Sequence, residues 1–143
     1  MNIKYFLIYI IILFFNSNCS YNNYQKSKSS TNYNIEYEYF DNGRIKSKLS
    51  YLNSKLEGES LFYDSTGVLR ITSNYIDGLL DGNTLKYDEQ GRILYSISFI
   101  RGMKHGKEVF YYNNGEKKSQ VFYEYDKEVS KIIRWDINGK VIP

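Results

Sequence analysis

Five glycines recur at an identical spacing of 24 residues, at Gly43, Gly67, Gly91, Gly115 and Gly139. Four residues before each stands an aromatic ring: Tyr39, Tyr63, Tyr87, Tyr111 and Trp135. A fixed period of this length marks a chain built from one small unit that stacks on copies of itself. Such arrays present extended surfaces and seldom enclose a catalytic pocket.

Between the glycines, apolar and polar residues alternate. The apolar series runs through Ile45, Leu49 and Tyr51, then Leu61, Tyr63, Leu69, Ile71 and Tyr75. It continues through Leu85, Tyr87, Ile93, Tyr95, Ile97, Phe99, Val109, Tyr111, Val121, Tyr123, Ile133 and Trp135. Every position is odd-numbered, a period of two that belongs to strands and predicts one shared apolar sheet face. The expected fold is all-β: about four 24-residue hairpin units and a truncated fifth, joined in one elongated, curved single-layer antiparallel sheet. A single proline in the whole chain fits long paired strands.

Asn42-Gly43, Asn114-Gly115 and Asn138-Gly139 are expected to turn hairpins, since Asn-Gly tolerates positive φ. Gly58, Gly82 and Gly106 form a second register, expected to mark the return turns. In the fourth unit Lys117 replaces an aliphatic residue, and Asp126 and Ser130 replace glycines, as suits a terminal repeat facing water. No helix is expected to cover the sheet, so self-covering, homodimerisation or a partner must do so.

The ends of the chain differ in character. Lys4 precedes the apolar run Tyr5–Phe15, the layout of an export signal. That run falls well short of the roughly 20 apolar residues that cross a bilayer as a helix. Asn16-Ser17-Asn18 follow, and then Cys19, the only cysteine, so no disulfide framework exists. A lone cysteine behind a signal core resembles the bacterial lipoprotein signal. Asn16 and Asn18, however, stand where that signal carries an aliphatic and a small residue. The resemblance implies cleavage before Cys19 and its lipidation, with plain secretion as the alternative. The expected division is a signal peptide at 1–18, the lipidated cysteine and a flexible polar tether at 19–33, and the repeats at 34–143. Localisation follows as the bacterial cell envelope, facing periplasm or exterior.

Chemistry is sparse. Charge is nearly balanced, 19 basic against 16 acidic residues, which excludes the concentrated basic stripe of a nucleic-acid binder. His105 is the only histidine, and its repeat counterparts Glu57 and Asp81 identify a polar turn position. With no second histidine to pair with a nucleophile, an enzyme is not expected, nor a cofactor or metal site. Asp41, Asp64, Asp88 and Asp136 are expected to bond their own turn backbones. The even-numbered positions carry Arg44, Lys46, Lys48, Arg70, Lys86, Arg92 and Lys118, interleaved with aromatics. Those aromatics, Phe40, Phe62, Phe110, Tyr112 and Phe122, are the candidate partner surface. Recurrent rings also admit a second reading, a cell-wall glycan or choline-type ligand binder.

The elements YFDNG at 39–43, YDSTG at 63–67, YDEQG at 87–91, YYNNG at 111–115 and WDING at 135–139 resemble the variant MORN repeat. They are similar to those of bacterial proteins labelled as antitoxins of the YwqK type. The resemblance implies hairpin repeats with interaction roles and no catalytic residues. An exported chain of this kind would meet a protein partner outside the cytoplasm, an exported toxin being one class.

Overall fold

The computed structural model describes residues 32–143; the signal segment and Cys19 lie outside the described residues. Among the described residues thirteen strands form one antiparallel sheet. They are β1 (Tyr33–Tyr39), β2 (Ile45–Leu52), β3 (Lys55–Leu56), β4 (Gly58–Tyr63), β5 (Leu69–Ile76), β6 (Leu79–Leu80) and β7 (Gly82–Tyr87). The rest are β8 (Ile93–Ile100), β9 (Met103–Tyr111), β10 (Lys117–Glu124), β11 (Lys127–Glu128), β12 (Ile133–Trp135) and β13 (Val141–Ile142). Spatial order follows chain order, β1-β2-β4-β5-β7-β8-β9-β10-β12-β13, while the two-residue β3, β6 and β11 pair back on β2, β5 and β10. The expected all-β hairpin array is therefore present, as an open sheet that begins at Tyr33.

Two turn types alternate. At the glycine turns, Gly43 N–H donates to Phe40 C=O and Phe40 N–H to Arg44 C=O, and the same pair recurs at Asp64, Asp88, Tyr112 and Asp136. Only the glycine has positive φ, +79° at Gly43. These are three-residue loops closed by a left-handed glycine, not the two-residue turns that Asn-Gly suggested. The two-residue turns lie elsewhere, at Asn53-Ser54, Asp77-Gly78, Arg101-Gly102 and Tyr125-Asp126, where both residues have positive φ. Gly58, Gly82 and Gly106 are thus not the return turns. They sit four residues further on, opposite Tyr75, Phe99 and Tyr123, where Gly58 and Gly82 begin β4 and β7 and Gly106 lies inside the continuous β9.

The single odd-numbered face is also corrected. Each glycine hairpin carries one unpaired extra residue: Lys46, Arg70, Leu94 and Lys118, again 24 apart. A one-residue bulge shifts the register, so beyond it odd residues face even ones. Ser47 pairs Phe62, Phe62 pairs Ile71, Ile71 pairs Lys86 and Lys86 pairs Tyr95. Beyond the bulges, odd residues of β2, β5, β8 and β10 therefore share one face, here the front, with Phe62, Lys86 and Phe110, while Ile45, Leu69 and Ile93 oppose Tyr39, Tyr63 and Tyr87 on the back. Leu61, Leu85 and Val109 fall on the back.

Burial follows this two-sided register. On the front, Ser60, Ser73, Ile97, Glu108 and Val121 are buried along one row. Larger rows flank it, Phe62, Ile71, Tyr95 and Phe110 on one side and Tyr51, Tyr75, Phe99 and Tyr123 on the other. Small residues in the centre let those side chains close over the floor without a second layer. On the back, Ser50, Thr72, Val109 and Gln120 are buried in the same manner. Among the described residues only Ile97, Val109 and Val121 form an apolar buried core.

Candidate interaction surface

The five aromatics expected on one surface are distributed over three places. Phe62 on β4 and Phe110 on β9 occupy equivalent positions of the front row nearer the glycine turns. Phe122 on β10 pairs Lys107 on the back face, with the ammonium 5.8 Å from the ring centre. Phe40 and Tyr112 open glycine turns, where the other units carry Asp64, Asp88 and Asp136. The even-numbered face thus splits at the bulges, for the register reason already given.

Those turns show how the chain compensates. Asp64 Oδ1 accepts from Thr66 N–H and Val68 N–H, Asp88 Oδ1 from Gln90 and Arg92, and Asp136 Oδ1 from Asn138 and Lys140. Where the turn opens with Phe40 or Tyr112, the asparagine before the glycine takes over: Asn42 Oδ1 accepts from Arg44 N–H and Asn114 Oδ1 from Glu116 N–H. The Thr66 hydroxyl, outweighing the desolvation that opposes it, holds Asp64 below the ordinary carboxylate range with help from the turn amides. For Asp88, burial works against ionisation, but the Arg92 amide and guanidinium and the Gln90 amide prevail and lower its pKa. Asp64, Asp88 and Asp136 are turn residues, as the sequence indicated; Asp41, one place later, shows no such bond among the described residues.

The front row nearer the glycine turns runs Phe62, Ile71, Lys86, Tyr95, Phe110, Ser119, Arg134 across seven strands. Tyr95 and Phe110 are tilted against each other with ring centres 4.7 Å apart, a favourable aromatic geometry. Beside them an open cavity of about 360 Å³ is lined by Lys86, Leu94, Tyr95 and Phe110. Phe110 is 44% exposed although it belongs to the best-packed part of the sheet. A second cavity, about 310 Å³, lies between the last two glycine turns, with Lys117 Nζ 5.7 Å from the Trp135 ring centre.

One cluster escaped the sequence reading. The buried Glu108 carboxylate accepts from the Tyr95 hydroxyl at 2.7 Å and from Lys104 Nζ at 3.4 Å, beside Tyr123. Burial opposes its charge, yet the two phenols and the ammonium win and its pKa is lowered. Burial and the adjacent Glu108 carboxylate push Tyr95 and Tyr123 above the ordinary phenol value. The signal was present in the repeat. Positions 60, 84 and 108 read Ser, Thr, Glu, while 56, 80 and 104 read Leu, Leu, Lys. A carboxylate and a cation enter the same unit together, one compensating the other. Tyr95 lies on the third hairpin and Glu108 on the fourth, which makes the cluster a fastening between them.

His105 does not join it. Its counterparts Glu57 and Asp81 accept from the Asp77 and Arg101 amides of the following return turn. His105 instead stacks on Tyr125 of the following return turn, ring centres 4.8 Å apart. Among the described residues no group of three or more His, Cys, Asp or Glu could hold a metal ion. No described helix is long and apolar enough to cross a membrane.

Residues 33–53, 56–77 and 104–125 match the MORN repeat variant. Three of the hairpins are thus similar to the MORN repeat variant. Each matched stretch contains one glycine turn and its two strands, and ends at or next to a return turn. The hairpin at 80–101 lies outside the matches, yet its strands pair in the same register, Leu85 with Ser96 as Leu61 with Thr72. No curated protein matches the chain.

Proposed function

We propose that this chain is a non-catalytic scaffold, anchored in the bacterial cell envelope through lipidated Cys19, whose repeat sheet binds another protein. MORN-variant repeats generally serve protein or membrane interaction. One observation carries the reading: the front row of Phe62, Ile71, Tyr95 and Phe110 lies open beside two cations, with no second layer of the described chain over it. Aromatic rings and Arg are favoured at the centre of protein interfaces, and such rings sit in this row with Arg134 at its end. The non-catalytic part of the reading is supported by the interaction role general to MORN-variant repeats and by the Glu108 carboxylate being taken up by Tyr95 and Lys104. An exported toxin is one class of partner consistent with an envelope address.

A photo-crosslinking residue placed at 110 on the front and at 107 on the back, in cells bearing the native envelope, tests this. The expected result is a discrete protein adduct from position 110 alone. Failure of both positions to capture a protein, with retention of the purified chain on peptidoglycan or choline resin, would replace this reading by the ligand-binding one. Mass spectrometry of the mature N-terminus should find an acylated Cys19; an unmodified Cys19 or a different first residue removes the anchor.

A further inference from the structure

One repeat position does not hold a constant residue type. Positions 38, 62, 86, 110 and 134, equivalent under the 24-residue period, carry Glu38, Phe62, Lys86, Phe110 and Arg134; Glu38 is paired with Lys46, and from Phe62 onward ring and cation alternate along the front row. Each lies two strands from the next: Phe62 reaches Lys86 through Ile71, Lys86 reaches Phe110 through Tyr95, and Phe110 reaches Arg134 through Ser119. With neighbouring strands ~4.8 Å apart, the step between them is ~9.6 Å. Among the described residues neither Lys86 nor Arg134 has a carboxylate partner. The cavity of about 360 Å³ lies between Lys86 and Phe110, floored by Tyr95 and edged by Leu94.

A chain that reads this row must present matching side chains on one side at that step. Three residues of a β-strand span ~10 Å, but its alternation turns every third side chain to the opposite face. A polyproline II helix advances ~3.1 Å per residue with three residues per turn, so every third side chain lies on one side, ~9.3 Å from the last. An α-helix returns to the same side after seven residues and ~10.5 Å, but would need about six straight turns to serve all four positions. The row follows the twist of the sheet, which a straight rod of that length leaves. A polyproline II segment spans the row in about ten residues, and its backbone is already ordered before binding, which suits aromatic-lined grooves.

We propose that the front row is a docking groove for a polyproline II segment of another protein, crossing the strands, with apolar and acidic residues alternating at every third position. The apolar residues meet Phe62 and Phe110, and the carboxylates meet Lys86 and Arg134. The proposal rests on the reading that the partner is a protein, and adds its chemistry and frame.

Fluorescence anisotropy on the full chain with three labelled peptides of equal composition tests it. One is proline-rich with leucine and aspartate alternating at every third position; the second places them at every second position; the third is scrambled. The first should bind about tenfold tighter than the others. Lys86→Glu and Phe110→Ala should each weaken it by about tenfold, as expected of a reversed charge and a lost central ring. Lys107→Glu on the back face should leave it unchanged, and circular dichroism should show every variant folded. Equal binding of the three peptides, or indifference to Lys86→Glu, overturns the proposal. If position 110 still crosslinks a protein in the envelope, the docking frame alone has failed; if it crosslinks none, the scaffold reading fails with it.

Discussion

The two ridges of turns along this sheet are held together by different groups. On the glycine ridge each turn is closed by its own residues, as where Asp88 Oδ1 gathers the amides of Gln90 and Arg92 and Gly91 N–H returns to Asp88 C=O. Side chains then link the first turn to the second and the fourth to the fifth: Asn42 Nδ2 donates to Ser65 C=O and Asn114 Nδ2 to Ile137 C=O, each at 2.8 Å. On the return ridge each turn is tied to the one before it. Gly78 N–H donates to Leu56 C=O, Gly102 N–H to Leu80 C=O and Asp126 N–H to Lys104 C=O. Glu57 and Asp81 add side-chain bonds to the Asp77 and Arg101 amides. Backbone bonds couple the return ridge at each of these three steps, whereas the Asp88 turn on the glycine ridge makes only local bonds among the described residues. In a solenoid, stability divides into intrinsic and neighbour terms, and here the neighbour term runs through backbone on one edge and through asparagine side chains on the other.

The sharpest way to break this division is Gly91→Val. Gly91 has φ +77° with open space around a Cβ, so the cost is conformational and confined to one turn. A β-branched residue in the left-handed region should cost about 2 kcal/mol, read as a fall in the denaturant midpoint with unchanged slope. A loss near zero would mean the glycine ridge is not locally determined. Ser54→Gly acts in the opposite direction on the return ridge. Ser54 has φ +66° where the second and third units carry Gly78 and Gly102. Relief of the left-handed penalty should stabilise the fold by about 1 kcal/mol in the same titration, and no gain would show that the ridge absorbs that strain.

A smaller effect sharpens the comparison. Glu57→Ala should cost about 0.5 kcal/mol, at the low end for an exposed hydrogen bond. Its signature is faster amide exchange at Asp77, twenty residues away. Asp88→Ala should speed exchange only at Gln90 and Arg92, within its own turn. If both variants spread their effects alike, the two ridges do not differ.

Least visible at neutral pH is the Glu108 cluster. Its folded pKa lies below 4.5, so its contribution is present above that value and is lost as pH falls through the folded pKa. Tyr95 is raised above 10.0, so its contribution is intact below pH 10 and fades at higher pH as the unfolded chain ionises first. Stability measured against pH should show both limbs, and Glu108→Gln should flatten the acid one. An unchanged acid limb in that variant would return the effect to Asp64 and Asp88 on the glycine ridge.

Much of this was legible in one dimension. The 24-residue period fixes the unit, and Asp64-x-x-Gly67 and Asp88-x-x-Gly91 specify their turns because every partner lies within four residues. Even the substitution of Phe40 for aspartate comes with its remedy, Asn42, in the same turn. The Glu108 and Lys104 pair could have been found by aligning the repeats, since two departures of opposite charge enter one unit.

What the alternation could not reveal is which side of the sheet a residue faces. That depends on the bulges at Lys46, Arg70, Leu94 and Lys118, whose extra residue is defined only by the strand lying opposite. A shift of one residue exchanges the faces, so Phe122 leaves the row that holds Phe62 and Phe110, though all three are even-numbered. Turn closure is a property of neighbouring residues and is written in their order. Pairing register is a relation between separate strands, and only the assembled sheet decides it.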